Sequence, residues 1–242
     1  MRSTRTICAW PTRPRLWASN FTPYTMVPDV VQFLTYMAGR TTKIELGTMV
    51  IVLPWHDPVR AAEQIAMLDI LSKGRIIVGF GRGAASVEYN GFRVPMEESR
   101  ERFVETAEVV VKALSNERFS HEGKYFQIPE TSIRPRPFSH PERRLYGAAV
   151  SPDTAERMAK LGLGVLVAIP LHGWDAVAKD VERHDRIIRA AGHEPVKPIV
   201  ASFVKPARAR LTTWAATGPR PTPTTTSPTG TSRTSRATST TG

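Results

Sequence analysis

Between residues 44 and 204 the apolar positions follow two alternating patterns. Short, nearly continuous apolar runs stand at Ile44–Val50, Arg75–Phe80, Leu145–Val150, Val165–Ile169 and Val196–Val204. Runs of this length, unbroken by polar alternation, suit strands buried on both faces, as in a parallel sheet. Between them lie stretches with a 3.6-residue period. Ala61, Ile65 and Leu68 share one face, as do Phe103, Ala107, Val110 and Leu114, and Val177, Val181 and Ile188. The pattern thus predicts five strands and four helices in alternation, the signature of an α/β fold with a parallel sheet. A further helix is predicted over Pro28–Ala38, with Val31, Leu34 and Ala38 on one stripe and Gly39 as its stop.

Local punctuation fits these boundaries. In Ile44–Gly83 (IELGTMVIVLPWHDPVRAAEQIAMLDILSKGRIIVGFGRG) Asp57 can cap a helix, Pro58 suits its first position, and Lys73-Gly74 can end it. This is a strand–helix–strand unit. Residues Phe119–Ile128 alternate aromatic and polar side chains around Glu122-Gly123, which predicts a small hairpin inserted in the sheet order. Ala84–Pro95 has no clear period and is expected to be a loop. Residues 1–20 show neither period and are expected to be irregular. Residues 205–242 hold 13 Thr and 5 Pro, with little beyond Leu211 and Trp214 to bury. Such a segment cannot offset an ordering entropy of roughly 1–2 kcal/mol per residue, so it is expected to be disordered. The globular domain is accordingly expected at 21–204.

The formal charge of +11 raises the question of a nucleic-acid or membrane partner. Its distribution answers it. Residues 1–40 hold five Arg against Asp29 alone, and 205–242 hold one Lys and five Arg with no acid, whereas 41–204 hold 22 bases and 21 acids. The body is nearly neutral, which argues against nucleic acid as a partner. No apolar run reaches 18 residues, so no membrane partner is expected. Pro11 cuts short the apolar Ile7-Cys8-Ala9-Trp10, which argues against a secretory signal and makes a cytoplasmic location the default. A single cysteine, Cys8, excludes an internal disulfide and a cysteine-based metal cluster.

In parallel sheets, sites form beyond the carboxyl ends of strands. Two such ends are Thr48-Met49 and Gly81-Arg82-Gly83. Gly79-Phe80-Gly81-Arg82-Gly83-Ala84 matches G-x-G-x-x-G/A, the dinucleotide fingerprint, but that motif must open a helix directly and be followed by an acid about 20 residues on. Neither is found. The glycines then either let the strand end pass close to a neighbour or let a ligand approach the backbone beside the charge of Arg82. At Ser151-Pro152-Asp153-Thr154 a helix start is predicted, and its hydroxyls beside free N–H groups at the positive helix end could seat a phosphate. An ordinary cap explains the same residues. His56 has no second ligand at metal spacing, Asp57 is explained as a cap, and no zinc or nucleophile motif is present.

Taken in order, PDVVQFLTYMAGRTTKIELGTMVIVLPWHDPVRAAEQIAMLDILSKGRIIVGFGRG, then SRERFVETAEVVVKAL, then SPDTAERMAKLG resemble the bacterial luciferase-like flavin monooxygenases over about Phe21 to Val204. The resemblance implies a (β/α)8 barrel, incomplete here at both ends. It implies reduced FMN as cofactor, with Thr48 and Met49 against the flavin ring, where the family often has a cis peptide. Arg82 would pair with the FMN phosphate, joined by donors from Val150, Ser151 and Thr154. It further implies oxygenation of a small organic substrate with molecular oxygen, an external NAD(P)H-dependent flavin reductase, and a possible homodimer. The alternatives are a deazaflavin-dependent oxidoreductase of the same superfamily and a catalytically impaired flavin-binding remnant. The second arises because the family's Glu-His-His-Phe positions here read Ala18-Ser19-Asn20-Phe21, leaving no catalytic residue to name. Both ends, where the pattern and the charge balance fail, are expected to be replaced or read out of the family's frame.

Overall fold

The computed structural model describes residues 6–8, 27–148, 152–168 and 174–201. Six parallel strands form one sheet: β1 (Thr6–Cys8), β2 (Glu45–Val52), β3 (Ile76–Gly81), β6 (Leu145–Ala148), β7 (Gly164–Ala168) and β8 (Ile199–Ala201). The strands lie side by side in chain order. A doubly wound nucleotide-binding sheet reverses its strand order at its centre, whereas a barrel adds each strand beside the last. The sheet is therefore of the barrel kind, with six of the eight strands that closure requires among the described residues. The hairpin β4 (Phe119–Glu122) and β5 (Gln127–Thr131) forms its own antiparallel pair, and β3 bonds directly to β6 past it.

The helices are α1 (Val30–Arg40), α2 (Pro58–Ser72), α3 (Ser86–Phe92), α4 (Ser99–Ser115), α5 (Pro152–Lys160) and α6 (Trp174–Ala190). Asp57 caps α2 by accepting from Arg60 N at 2.8 Å, with Pro58 in the first turn. Lys73 and Gly74 close it in the left-handed region, at φ 56° and 74°. Helix α1 is capped by Asp29, which accepts from Gln32 N at 2.9 Å. It runs through Gly39 to Arg40 and does not stop at the glycine. The predicted stripes are the buried ones: Ala61, Ile65 and Leu68 on α2, and Phe103, Ala107, Val110 and Leu114 on α4. Each large side chain so buried stabilises the fold by about 1.5–3 kcal/mol.

Two expectations need correction. Residues 6–8 are not irregular: Thr6–Cys8 pairs in parallel with Glu45–Gly47. A three-residue strand is too short to carry a period, and it is specified by the β2 edge it joins. Nor is Ala84–Pro95 simply a loop, because α3 occupies Ser86–Phe92. That helix has no side-chain cap and only two turns, and it is held by its aromatics, Tyr89 and Phe92, against Trp55. The tail 205–242 and residues 9–26, including Ala18-Ser19-Asn20-Phe21, lie outside the described residues.

The proline-rich connector before β6 is fastened by a buried carboxylate. Asp69 on α2, fully buried, accepts from Ser139 N at 2.6 Å and from Ser139 Oγ at 2.8 Å, while Arg144 donates to that same Oγ at 2.8 Å. Arg75 closes two helix ends, donating to the carbonyls of Ala38 in the last turn of α1 and Thr41 at its C-cap, and of Ser72 at the end of α2. No helix among the described residues is long and apolar enough to cross a membrane.

Candidate functional site

The carboxyl ends of β2 and β3 stand side by side, with Thr48 opposite Val78 and Val52 opposite Gly81. Between them the register slips, at Thr48–Ile51. The Met49–Val50 peptide bond within the slip is cis. Thr48 bridges the irregularity. Its buried hydroxyl accepts from Gly79 N at 2.8 Å and donates to Gly79 O at 3.0 Å. The hydroxyl is thereby engaged within the sheet, and Met49, half-buried, is the neighbouring side chain at this end of β2.

The glycine-rich run has protein packed against it on every glycine. A Cβ at Gly79 would lie 2.6 Å from the Thr48 carbonyl, and one at Gly81 would collide with the Val50 side chain. At Gly83, where φ is +77°, it would meet Val52 at 2.8 Å and Trp55 at 3.0 Å. Of the two readings of these glycines, close passage of a neighbouring strand and loop accounts for all three. The charge beside them is a separate matter.

Arg82 is half-buried one residue past β3. Its Nη1 donates to Ser99 Oγ, the first residue of α4, at 3.0 Å, and Ser99 is itself 2% exposed. Its main-chain carbonyl accepts from the Tyr89 hydroxyl. The Tyr89 ring is wholly buried, edge-on to Trp55 at 5.2 Å, and Trp55 stacks on Phe92 at 4.9 Å. The segments after β2 and β3 are thus joined by an aromatic cluster directly behind Arg82. Burial pushes the Tyr89 phenol up, against interactions with Ser99 and Arg82 that pull it down, so it remains a donor at neutral pH. Nearby His56 is pushed below its usual value by burial, opposed by Asp29, and is neutral at pH 7.

Strand β6 is the next neighbour of β3, with Phe80 opposite Gly147. The strand end carrying Arg82 therefore lies beside the one that leads into α5. Thr154 falls in the first turn of α5, while Val150 and Ser151 lie outside the described residues. The topology thus brings a guanidinium and a helix N-terminus to adjacent strand ends, a donor set that suits an anion. No cluster of three metal-ligating side chains occurs among the described residues.

Ser99, Tyr89, Trp55 and Phe92 were not singled out by the sequence. A serine at a helix start and aromatics in an aperiodic stretch carry no signal until their partners, many residues away, are known.

The sequence profile of the family described as Luciferase-like monooxygenase matches residues 15–217, somewhat beyond both ends of the resemblance noted above. The oxygenase component of the flavin-dependent trigonelline monooxygenase of Acinetobacter baylyi is 31% identical over 163 residues, 66% of this chain and 45% of that protein. The solved structure of the monooxygenase RslO1 from Streptomyces bottropensis superposes with a TM-score of 0.68 at 31% identity, covering 73% of this chain and 54% of that one. The coenzyme F420-dependent tetrahydromethanopterin reductase of Methanopyrus kandleri shares the fold, with a TM-score of 0.58 at 23% identity, over 69% of this chain and 51% of that one. The chain spans about half the length of the relatives it matches. With strands added in barrel order and a family match over most of its length, the chain belongs to the luciferase-like monooxygenases.

Proposed function

We propose that this chain is the flavin-binding part of a luciferase-like monooxygenase that takes reduced FMN. The observation that carries the reading is Arg82 at the carboxyl end of β3, beside the strand end that leads into α5. A phosphate there would meet a planar guanidinium from one side and the N–H groups of the α5 start from the other. Val150, Ser151 and Thr154 would supply main-chain and hydroxyl donors to the same phosphate. The backbone at Thr48 and Met49 would face the flavin ring, with Thr48 held in place by Gly79. When bound, reduced FMN supplies the oxygen-activating chemistry, and the protein's part is to orient it and exclude water. The substrate is a small organic molecule, and reduced flavin comes from a separate NAD(P)H-dependent reductase. The name "oxygenase component" borne by the Acinetobacter relative supports a separate reductase.

A second reading replaces FMN by a deazaflavin, favoured by the fold shared with the F420-dependent reductase. FMN ranks first because two relatives at 31% identity are named as a flavin-dependent monooxygenase component and a monooxygenase. Titrating the purified chain with FMN, oxidised and reduced, and separately with F420 decides between them. Micromolar binding of FMN, weakened at least tenfold in Arg82→Gln, is expected. Binding of F420 alone would favour the second reading, and binding of neither would end both.

A further inference from the structure

Arg82 sits where the chain leaves the sheet, immediately before a glycine at φ +77°. A guanidinium on such a segment would ordinarily have to give up its rotamer freedom on entering any complex. Here it is held at both ends. Ser99 takes one N–H of the fork at 3.0 Å, and the Tyr89 hydroxyl takes the main-chain carbonyl. Ser99 is 2% exposed and Tyr89 0%, so neither group can exchange these contacts for solvent. Arg has five N–H donors, and one hydrogen bond to Ser99 leaves enough of them to meet a phosphate in two-point fashion. Among the described residues no carboxylate lies within salt-bridge distance of Arg82, and its side chain hydrogen-bonds to the Ser99 hydroxyl.

We propose that Ser99 and Tyr89 are positioning residues that set Arg82, before any ligand arrives, as the receptor for the flavin's phosphate. This rests on the flavin reading above. Ser99 fixes the direction of the fork and Tyr89 fixes the main chain from which it springs. Pre-ordering a ligand-binding side chain raises affinity by removing the ordering cost from the binding step.

The test compares FMN with riboflavin, which lacks the phosphate, on the full chain and on the variants Ser99→Ala, Ser99→Thr and Tyr89→Phe. Dissociation constants come from flavin fluorescence, and thermal midpoints report folding. In Ser99→Ala the FMN affinity is expected to fall about tenfold while riboflavin affinity stays within about twofold. Ser99→Thr, which keeps the hydroxyl, is expected to restore FMN binding. Tyr89→Phe is expected to act in the same direction, and Ser99→Ala carries the test should the buried tyrosine prove necessary for folding. If FMN and riboflavin weaken equally, the two residues merely fasten the loop and the proposal is overturned. A wild-type chain that prefers FMN, with unaltered preference in Ser99→Ala, overturns the positioning role alone. A wild-type chain that does not distinguish the two flavins overturns the phosphate reading itself.

Discussion

Asp69 shows how much depends on single buried polar groups in this fold. Fully buried on α2, it receives both the amide and the hydroxyl of Ser139, 70 residues away, and so ties the connector before β6 to the second helix. Removing it strands the Ser139 amide without a partner, and an unsatisfied partner of a charged group costs about 1.5–3 kcal/mol. Asp69→Ala should lower stability by that amount in denaturant titration, and Asp69→Asn, which keeps one acceptor oxygen, by less. Equal losses in the two variants would mean that shape and not hydrogen bonding matters here. Gly81 makes a different demand. Its missing side chain is filled by Val50 of the neighbouring strand, so Gly81→Ala should destabilise by about 1–3 kcal/mol through overpacking. Val50→Ala should recover most of that loss, since the obstructing atoms belong to one side chain. Additive effects in the double variant would count against direct contact.

At the scale of elements, the hairpin β4–β5 is tied to α4 by a buried carboxylate, while the exposed Glu101 of α4 accepts from Lys124 Nζ and the Tyr125 hydroxyl at 2.7 Å. Glu105, whose side chain is 11% exposed, accepts from Tyr125 N at 3.0 Å and Phe126 N at 2.8 Å. His121 Nδ1 lies 3.3 Å from Lys112 Nζ, and its Nε2 faces Glu105 Oε1 at 3.4 Å, off the hydrogen-bonding direction, an electrostatic contact only. Gly123 leaves no room for a Cβ between those two side chains. Glu105→Ala should therefore release the hairpin before the rest of the molecule. Amide exchange in Phe119–Thr131 is expected to quicken by ten- to a hundredfold, corresponding to about 1.4–2.8 kcal/mol, with β2 and β3 unchanged. Uniform acceleration across both sheets would show that the carboxylate supports global stability. The hairpin, α2 and α4 were legible in the sequence because each carries a repeat long enough to display its period. Strand β1 and helix α3 were not. Three residues of strand and two turns of helix have no period, and what specifies them is the edge of β2 in one case and the ring of Trp55 in the other.

At the scale of the whole molecule, the alternation of strands and helices was readable, and Arg82 could be singled out as a candidate. Arg82 stands out because charge follows directly on a glycine-rich strand end. Ser99 and Tyr89 do not, because their importance lies in hydrogen bonds to a residue 17 and 7 positions away. The same long-range packing governs the response of the fold to acid. His184 on α6 is 4% exposed and His56 is half-buried, and desolvation lowers the affinity of both for protons. For His184, Asp185 and a main-chain hydrogen bond at Leu163 pull the other way, as Asp29 does for His56, without overcoming burial. In the unfolded chain both imidazoles titrate near 6.5. Below that pH the unfolded state holds more protons than the folded one, so stability rises with pH through this window and falls as pH is lowered through 6.5 towards the folded values. The exposed carboxylates Glu101, Glu130 and Glu156, all held below 4.5 by their cationic partners, contribute only at more acid pH. Urea midpoints measured between pH 7.5 and 5.5 should therefore decline, and His184→Gln should flatten part of that decline whatever its effect on stability at pH 7.5. If the double variant with His56→Asn keeps the full slope, the acid sensitivity arises elsewhere and burial of these two imidazoles is not its cause.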